Sequence, residues 1–344
     1  MTHYIEALNL LINKETERAE QKLRLALKEE PNNIEIYLKL GDILREKGQF
    51  EKSTQLHHSL LVKKGIDAHL KKRILQSLSE DYLSSKQYRK AGEIIRELIG
   101  IDKEDASNYH KLLTVYEEEK NWNEAWKTYK DILKLRKRET KFYLALYKSY
   151  IGIQKFAQGS EDEAASFFKD ALKLDKNCIP ALLYSGDIAY SHKDSNMAIE
   201  YWQRIVTQTP NYAYFVFERL EKAYFETGKF SEIATLYESL REKNPKDKQV
   251  LYALARIYSK KASFDDTARI FQEILDIDKT DLKARIDLIE LQINAGDTDT
   301  GIQQLKELSK LYELGRFYRC DRCGYKGKEF FFRCPECKEW VIKE

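Results

Sequence analysis

Cys320-Asp321-Arg322-Cys323 and Cys334-Pro335-Glu336-Cys337 are two C-x-x-C knuckles set ten residues apart near the end of a 344-residue chain. A C-x-x-C knuckle turns tightly, so both of its sulfurs face one side. Two such pairs can place four thiolates tetrahedrally around one ion. Gly324 and Pro335 are turn formers beside the sulfurs. Two disulfides would be the other use of four cysteines. Only one further cysteine, Cys178, is present and no secretory signal is read, which is not the composition of a disulfide-stapled domain.

Cys320, Cys323, Cys334 and Cys337 therefore read as the ligands of one Zn2+ or Fe. Filling every coordination position with cysteine leaves none for water or substrate, the mark of a structural rather than a catalytic zinc. Iron suits the same four sulfurs and would be redox-active, but no flavin or other electron-carrier motif stands nearby. The plain role of the ion is to replace a core, because about 25 residues bury too little to hold together alone. Phe317, Tyr318, Tyr325, Phe330, Phe331, Phe332 and Trp340 supply the apolar surface available.

The rest of the chain must position this ribbon. Five prolines, fourteen glycines and 33% charged residues favour helices throughout. A net charge of +3 makes no case for nucleic acid, and no apolar run nears the ~20 residues needed to span a bilayer. The composition is that of a soluble chain.

Self-similarity explains the helices. The tetratricopeptide template is two antiparallel helices in about 34 residues, with small residues where neighbours approach and large ones filling the holes beside them. Residues 34–67 fit through Tyr37, Leu40-Gly41, Leu44 and Gly48-Gln49-Phe50. Residues 179–212 fit through Gly186, Ala189, Ala198, Trp202, Ile205 and Pro210, and residues 214–247 through Tyr224, Gly228-Lys229-Phe230, Tyr237, Leu240 and Pro245. Residues 248–281 supply Ala255, Tyr258, Phe271 and Ile274, and weaker copies fill the gaps. The copy holding Tyr150, Ala164, Phe168 and Ala171 is expected to carry about five extra residues between its helices, around Lys155–Ser160. The expected fold is mostly α: a right-handed tetratricopeptide-repeat α-solenoid of about nine helix pairs over residues 1–312, with a four-cysteine zinc ribbon over 316–344.

One repeat cannot bury its apolar face alone, so stacking makes the core, and most of the 22 tyrosines and 15 phenylalanines are packing residues. Such a stack binds extended peptides or partner helices on its concave wall. Asp42, Arg45, His110, Thr114 and Asp187 are placed to project there. No catalytic constellation is found. The six histidines all lie in the repeats, and there is no nucleophile elbow, phosphate loop or H-E-x-x-H pattern. His57 replaces the usual helix-B aromatic and reads as a satisfied core histidine; Cys178, before Pro180 at a helix start, reads as packing.

Only Leu314-Gly315-Arg316 separates the last repeat helix from the first knuckle strand, so the ribbon is expected to dock on the solenoid and act with it. Phe330-Phe331-Phe332 supports this, because strand alternation can point only one face of that run into so small a core.

Repeats followed directly by Tyr318-Arg319-Cys320-x-x-Cys323-Gly324-Tyr325 and Cys334-Pro335-x-Cys337-x-x-Trp340 resemble the lipopolysaccharide assembly protein B family over essentially the whole chain. That resemblance implies a rubredoxin-like C-terminal domain whose metal is held by the four cysteines. It implies a non-enzymatic adaptor at the cytoplasmic face of the Gram-negative inner membrane. There the family brings a membrane-anchored FtsH-type protease to the deacetylase that commits material to lipid A, and so limits lipopolysaccharide synthesis. Members begin with one membrane-spanning helix, whereas Met1 here falls inside the first repeat helix. Either an anchor has been removed, or this is a naturally soluble relative. The alternatives left open are a general tetratricopeptide scaffold or co-chaperone, and a redox- or iron-sensing switch built on the four cysteines.

Overall fold

The computed structural model describes residues 2–63, 65–136, 140–314, 318–320, 322–327 and 334–337. Among them, eighteen helices follow one another in nine pairs. The chain forms two compact units, residues 1–188 and 189–344, which part within α11 (Ile179–Ser191).

Unit 1 holds α1 (Thr2–Ile12), α2 (Thr16–Glu29), α3 (Ile34–Glu46), α4 (Phe50–Leu60), α5 (Ala68–Ser84) and α6 (Tyr88–Ile101). It continues through α7 (Ala106–Glu118), α8 (Trp122–Leu135), α9 (Phe142–Ala157) and α10 (Glu161–Leu174). Unit 2 holds α12 (Ser195–Gln208), a 3₁₀ turn (Pro210–Val216), α13 (Phe217–Glu226), α14 (Phe230–Lys243), α15 (Lys248–Lys260), α16 (Phe264–Ile277), α17 (Leu282–Asn294) and α18 (Thr298–Leu314). No helix among the described residues is long and apolar enough to cross a membrane.

Short polar side chains start many of the first helices of a pair. Asn33, Asp67, Asp105, Asp247 and Asp281 each accept from a backbone N–H of the first turn, which would otherwise lack a partner. Every pair then closes with the same turn, whose central residue has positive φ: Lys14, Gly48, Lys86, Lys120, Gly159, Lys193, Gly228, Ala262 and Gly296. The residue after it donates its N–H back across the helix end, as Gln49 does to Leu44 O at 2.8 Å and Ser263 to Tyr258 O at 3.0 Å. This satisfies a carbonyl that the helix leaves open. Successive turns stand 34 residues apart in five of eight steps, and 38, 39 and 35 apart in the others.

The position of the insertion differs from expectation. α9 and α10 are joined by Gln158, Gly159 and Ser160 alone, in the ordinary turn. The extra length precedes them, between Leu135 and Phe142 and in a sixteen-residue α9. The turn has one geometry that closes a pair, so added residues are tolerated ahead of it, in the join between pairs and in a longer first helix.

The core follows from small residues meeting large ones. A Cβ on Gly41 of α3 would lie 2.1 Å from His57 Nε2 of α4, and one on Gly152 of α9 would lie 2.6 Å from Phe168 Cε1 of α10. Each ring fills the space that the missing methyl leaves. Within unit 1, Ile74, Leu78, Ile95, Leu112, Tyr129 and Tyr147 belong to one continuous cluster. In unit 2, Trp202, Tyr224 and Tyr237 are fully buried.

Candidate metal centre

Two short strands build the first knuckle. β1 (Tyr318–Arg319) pairs antiparallel with β2 (Lys326–Gly327), Tyr318 opposite Gly327 and Arg319 opposite Lys326. Between them Cys320 N donates to Tyr325 O, and Gly324 N donates to Cys320 O, both at 2.9 Å. Gly324 has φ 76°, which a residue with a Cβ adopts only under strain. The backbone N–H groups of Cys323 and Arg322 point at Cys320 Sγ. The Cys323 N–H is the main cause holding that thiol down at about 7, against the desolvation that would raise it. The second knuckle is the turn of residues 334–337.

The knuckles face one another. Cys320 Sγ lies 3.6 Å from Cys337 Sγ, Cys323 Sγ lies 3.5 Å from Cys334 Sγ, and all four sulfurs fall within 4.8 Å of one another. Tetrahedral Zn–S bonds of about 2.3 Å put neighbouring sulfurs about 3.8 Å apart, so the four fit one ion. Contacts of this length are not disulfides, whose sulfurs lie about 2.05 Å apart. Cys320 and Cys334 are buried, Cys337 is half-buried and Cys323 is exposed. Thiolates of this softness suit zinc or iron. Phe330-Phe331-Phe332 and Trp340 lie outside the described residues, as do the joining residues 315–317.

The other residues singled out by sequence are scattered. Cys178 is 1% exposed against Ala145, Phe168 and Ala181, and its Sγ lies 3.2 Å from Ser149 Oγ. Burial pushes its thiol pKa up, away from reactivity. Asp42 and Arg45 pair with each other at 2.9 Å. Thr114 is exposed, and Thr114 Oγ1 donates to His110 O, whereas His110 and Asp187 are half-buried.

His57 is the satisfied core histidine expected from the sequence, and the buried polar network that satisfies it is what the sequence did not reveal. His57 Nδ1 lies 2.6 Å from Asp81 Oδ2 and its Nε2 3.2 Å from Leu38 O, so both ring nitrogens face acceptors. Asp81 Oδ1 also meets Ser53 Oγ at 2.6 Å and accepts from Arg45 at 3.0 Å. Asp81, Ser53 and His57 are fully buried, so three successive helices, α3, α4 and α5, share one carboxylate. Unit 2 has a counterpart: Glu221, 4% exposed, accepts from Arg256 at 2.8 Å and joins α13 to α15. Asp81 lies among Leu78, Ser79 and Tyr82 on the buried face of α5, and its helical phase was the available signal.

Comparison with known proteins matches this combination. The chain is 22% identical to lipopolysaccharide assembly protein B of Escherichia coli K12, an alignment covering 98% of this chain and 87% of that protein. The Haemophilus influenzae protein of the same name is likewise 22% identical, with the same shares covered. Among solved structures, Pseudomonas aeruginosa pilF is 17% identical, covers 61% of this chain and 93% of its own, and has a TM-score of 0.38. Residues 41 to the end of MamA from Desulfovibrio magneticus are 18% identical, covering 50% and 96%, with a TM-score of 0.37. No protein-family model matches the chain. At 98% coverage the alignment to lipopolysaccharide assembly protein B spans both the helix pairs and the cysteine knuckles.

Proposed function

We propose that this chain is a non-enzymatic, protein-binding adaptor in lipopolysaccharide assembly. The observation that carries this reading is an alignment over 98% of the chain to proteins named for that process, in a chain that combines helix pairs with a clustered four-cysteine centre. The finer proposal is that it presents the lipid A-committing deacetylase to a membrane-anchored FtsH-type protease, at the cytoplasmic face of the inner membrane. Cys320, Cys323, Cys334 and Cys337 would hold one Zn2+, or Fe, as a closed structural site.

The ribbon is proposed to dock on the last repeat. Ile286, Ile293, Ile302 and Leu305 of α17 and α18 are exposed, and Ile289 and Leu308 help line a cavity of about 270 Å³ between the two helices. An uncovered apolar face at the end of a repeat stack calls for a cap. Only three residues separate α18 from β1, so the ribbon is close at hand.

An affinity pulldown from a Gram-negative extract tests the adaptor reading, with the Cys320→Ser/Cys323→Ser variant beside the unaltered chain. Enrichment of the deacetylase or the protease, lost in the variant, is the expected result. Recovery of chaperones or unrelated complexes instead would replace it with a general scaffold. If the variant left amide exchange in α17 and α18 and partner recovery untouched, the docking would be wrong.

A further inference from the structure

Two close sulfur contacts in the centre each join an accessible thiol to a buried one. Cys323 is exposed and lies 3.5 Å from Cys334, which is fully buried; Cys337 is half-buried and lies 3.6 Å from Cys320, which is 2% exposed. In both contacts the partners come from different knuckles. A solvent-accessible thiolate poised beside a second thiol is the arrangement that peroxide oxidation uses. We propose that the four-cysteine centre is an oxidation site for hydrogen peroxide, with the Cys323 and Cys337 thiolates attacking it and Cys334 and Cys320 resolving them into two cross-knuckle disulfides. It rests on the centre holding a metal, and is independent of which partner the repeats bind.

The electrons balance within the site and the oxidant. The Cys323 thiolate attacks one peroxide oxygen, an S–O bond forms, the O–O bond breaks, and the departing hydroxide takes a proton to become water. The Cys334 thiolate then attacks that sulfur; an S–S bond forms, the S–O bond breaks, and a second hydroxide leaves as water. Cys337 and Cys320 consume a second peroxide in the same way. Four thiolates are oxidised by two electrons per pair, two peroxides are reduced to four waters with four protons taken up, and the metal leaves unchanged in charge.

Because each disulfide spans both knuckles, the ribbon stays crosslinked after the metal has gone. Its centre loses the two negative charges that four thiolates on one dication carry, beside Arg319, Arg322 and Lys326. Oxidation thus changes the charge of the ribbon while its strands remain tied together, unlike removal of metal by a chelator alone.

The test uses the zinc-loaded full chain, hydrogen peroxide, a chromophoric zinc chelator and peptide mapping without reduction. Trypsin separates Cys320 from Cys323 after Arg322, and cleavage after Glu336 separates Cys334 from Cys337. The expected result is one zinc released per two peroxides, with Cys320 linked to Cys337 and Cys323 to Cys334. Dimedone present during a first sub-stoichiometric addition should mark Cys323 before Cys337. Zinc retained under peroxide, disulfides within each knuckle, or a first adduct on Cys320 or Cys334 would overturn this inference alone. A chain that takes up no zinc would overturn it together with the metal reading.

Discussion

Replacing Asp81 by alanine should unfasten α3, α4 and α5 from one another while leaving unit 2 intact. The carboxylate is wholly buried and faces His57, Ser53 and Arg45 at 2.6, 2.6 and 3.0 Å, so its removal leaves the buried His57 Nδ1 and Ser53 Oγ without that partner, and leaves Arg45 held by Asp42 on its own helix and no longer tied to the carboxylate of α5. Breaking one side of a buried charged pair costs about 3–5 kcal/mol. At about 1.4 kcal/mol per tenfold, amide exchange in α3–α5 should quicken roughly 10²- to 4 × 10³-fold. Asp81→Asn keeps an acceptor oxygen and should cost only about 1–3 kcal/mol. Hydrogen exchange with mass spectrometry suits the question, because a repeat array need not unfold in one step and α13–α16 serve as an internal control. Gly41→Ala should strike the same network from the other side, since its Cβ would fall 2.1 Å from His57 Nε2; His57→Ala in the same chain should restore part of the loss. Acceleration below about tenfold for Asp81→Ala would refute the idea that this carboxylate fastens the three helices.

Three further outcomes follow from single sites. Ala262 closes the α15–α16 turn at φ 55°, so Ala262→Gly should raise unfolding stability by up to about 1 kcal/mol, and Gly48→Ala at φ 73° should lower it comparably, both read from the urea midpoint. Hydrogen bonding to Lys248 at 2.8 Å, with lesser help from Thr280, lowers Asp278 from 3.8 to about 2. Its folded pKa is depressed, so its contribution is present above pH 3.8 and is lost as pH falls from there through about 2; Asp278→Asn should flatten the acid limb of stability in that window. Cys178, buried and with its pKa raised by desolvation, should resist iodoacetamide in the native chain and react only once urea opens unit 1; rapid native labelling would contradict its place in the core.

How much was legible in the sequence differs from residue to residue. The spacing of Cys320, Cys323, Cys334 and Cys337 requires nothing beyond the local turn to bring two sulfurs together, so each knuckle could be read directly. The repeat was likewise visible, because stacking demands small and large residues at recurring positions: Gly41 against His57 and Gly152 against Phe168 follow that rule. Lys14, Lys86, Lys120 and Lys193 gave no such signal. They occupy the same left-handed turn as Gly48 and Gly228, but lysine does not favour that conformation, and only the closure of each helix pair places them there. For the same reason the added length could not be assigned to the join before α9.

By itself, the sequence determined the helical class, the repeat period and the four metal-ligand candidates, because each depends on residue type at short, regular spacing. Tertiary structure alone decided that Asp81 would meet His57 and Arg45 across 24 and 36 residues, since a buried charge is stable only where a second helix brings its partner. It also decided which sulfurs face solvent. In each knuckle the first cysteine, Cys320 or Cys334, is buried and the second, Cys323 or Cys337, is more accessible, because exposure depends on what packs around a side chain, which the spacing of the cysteines does not state.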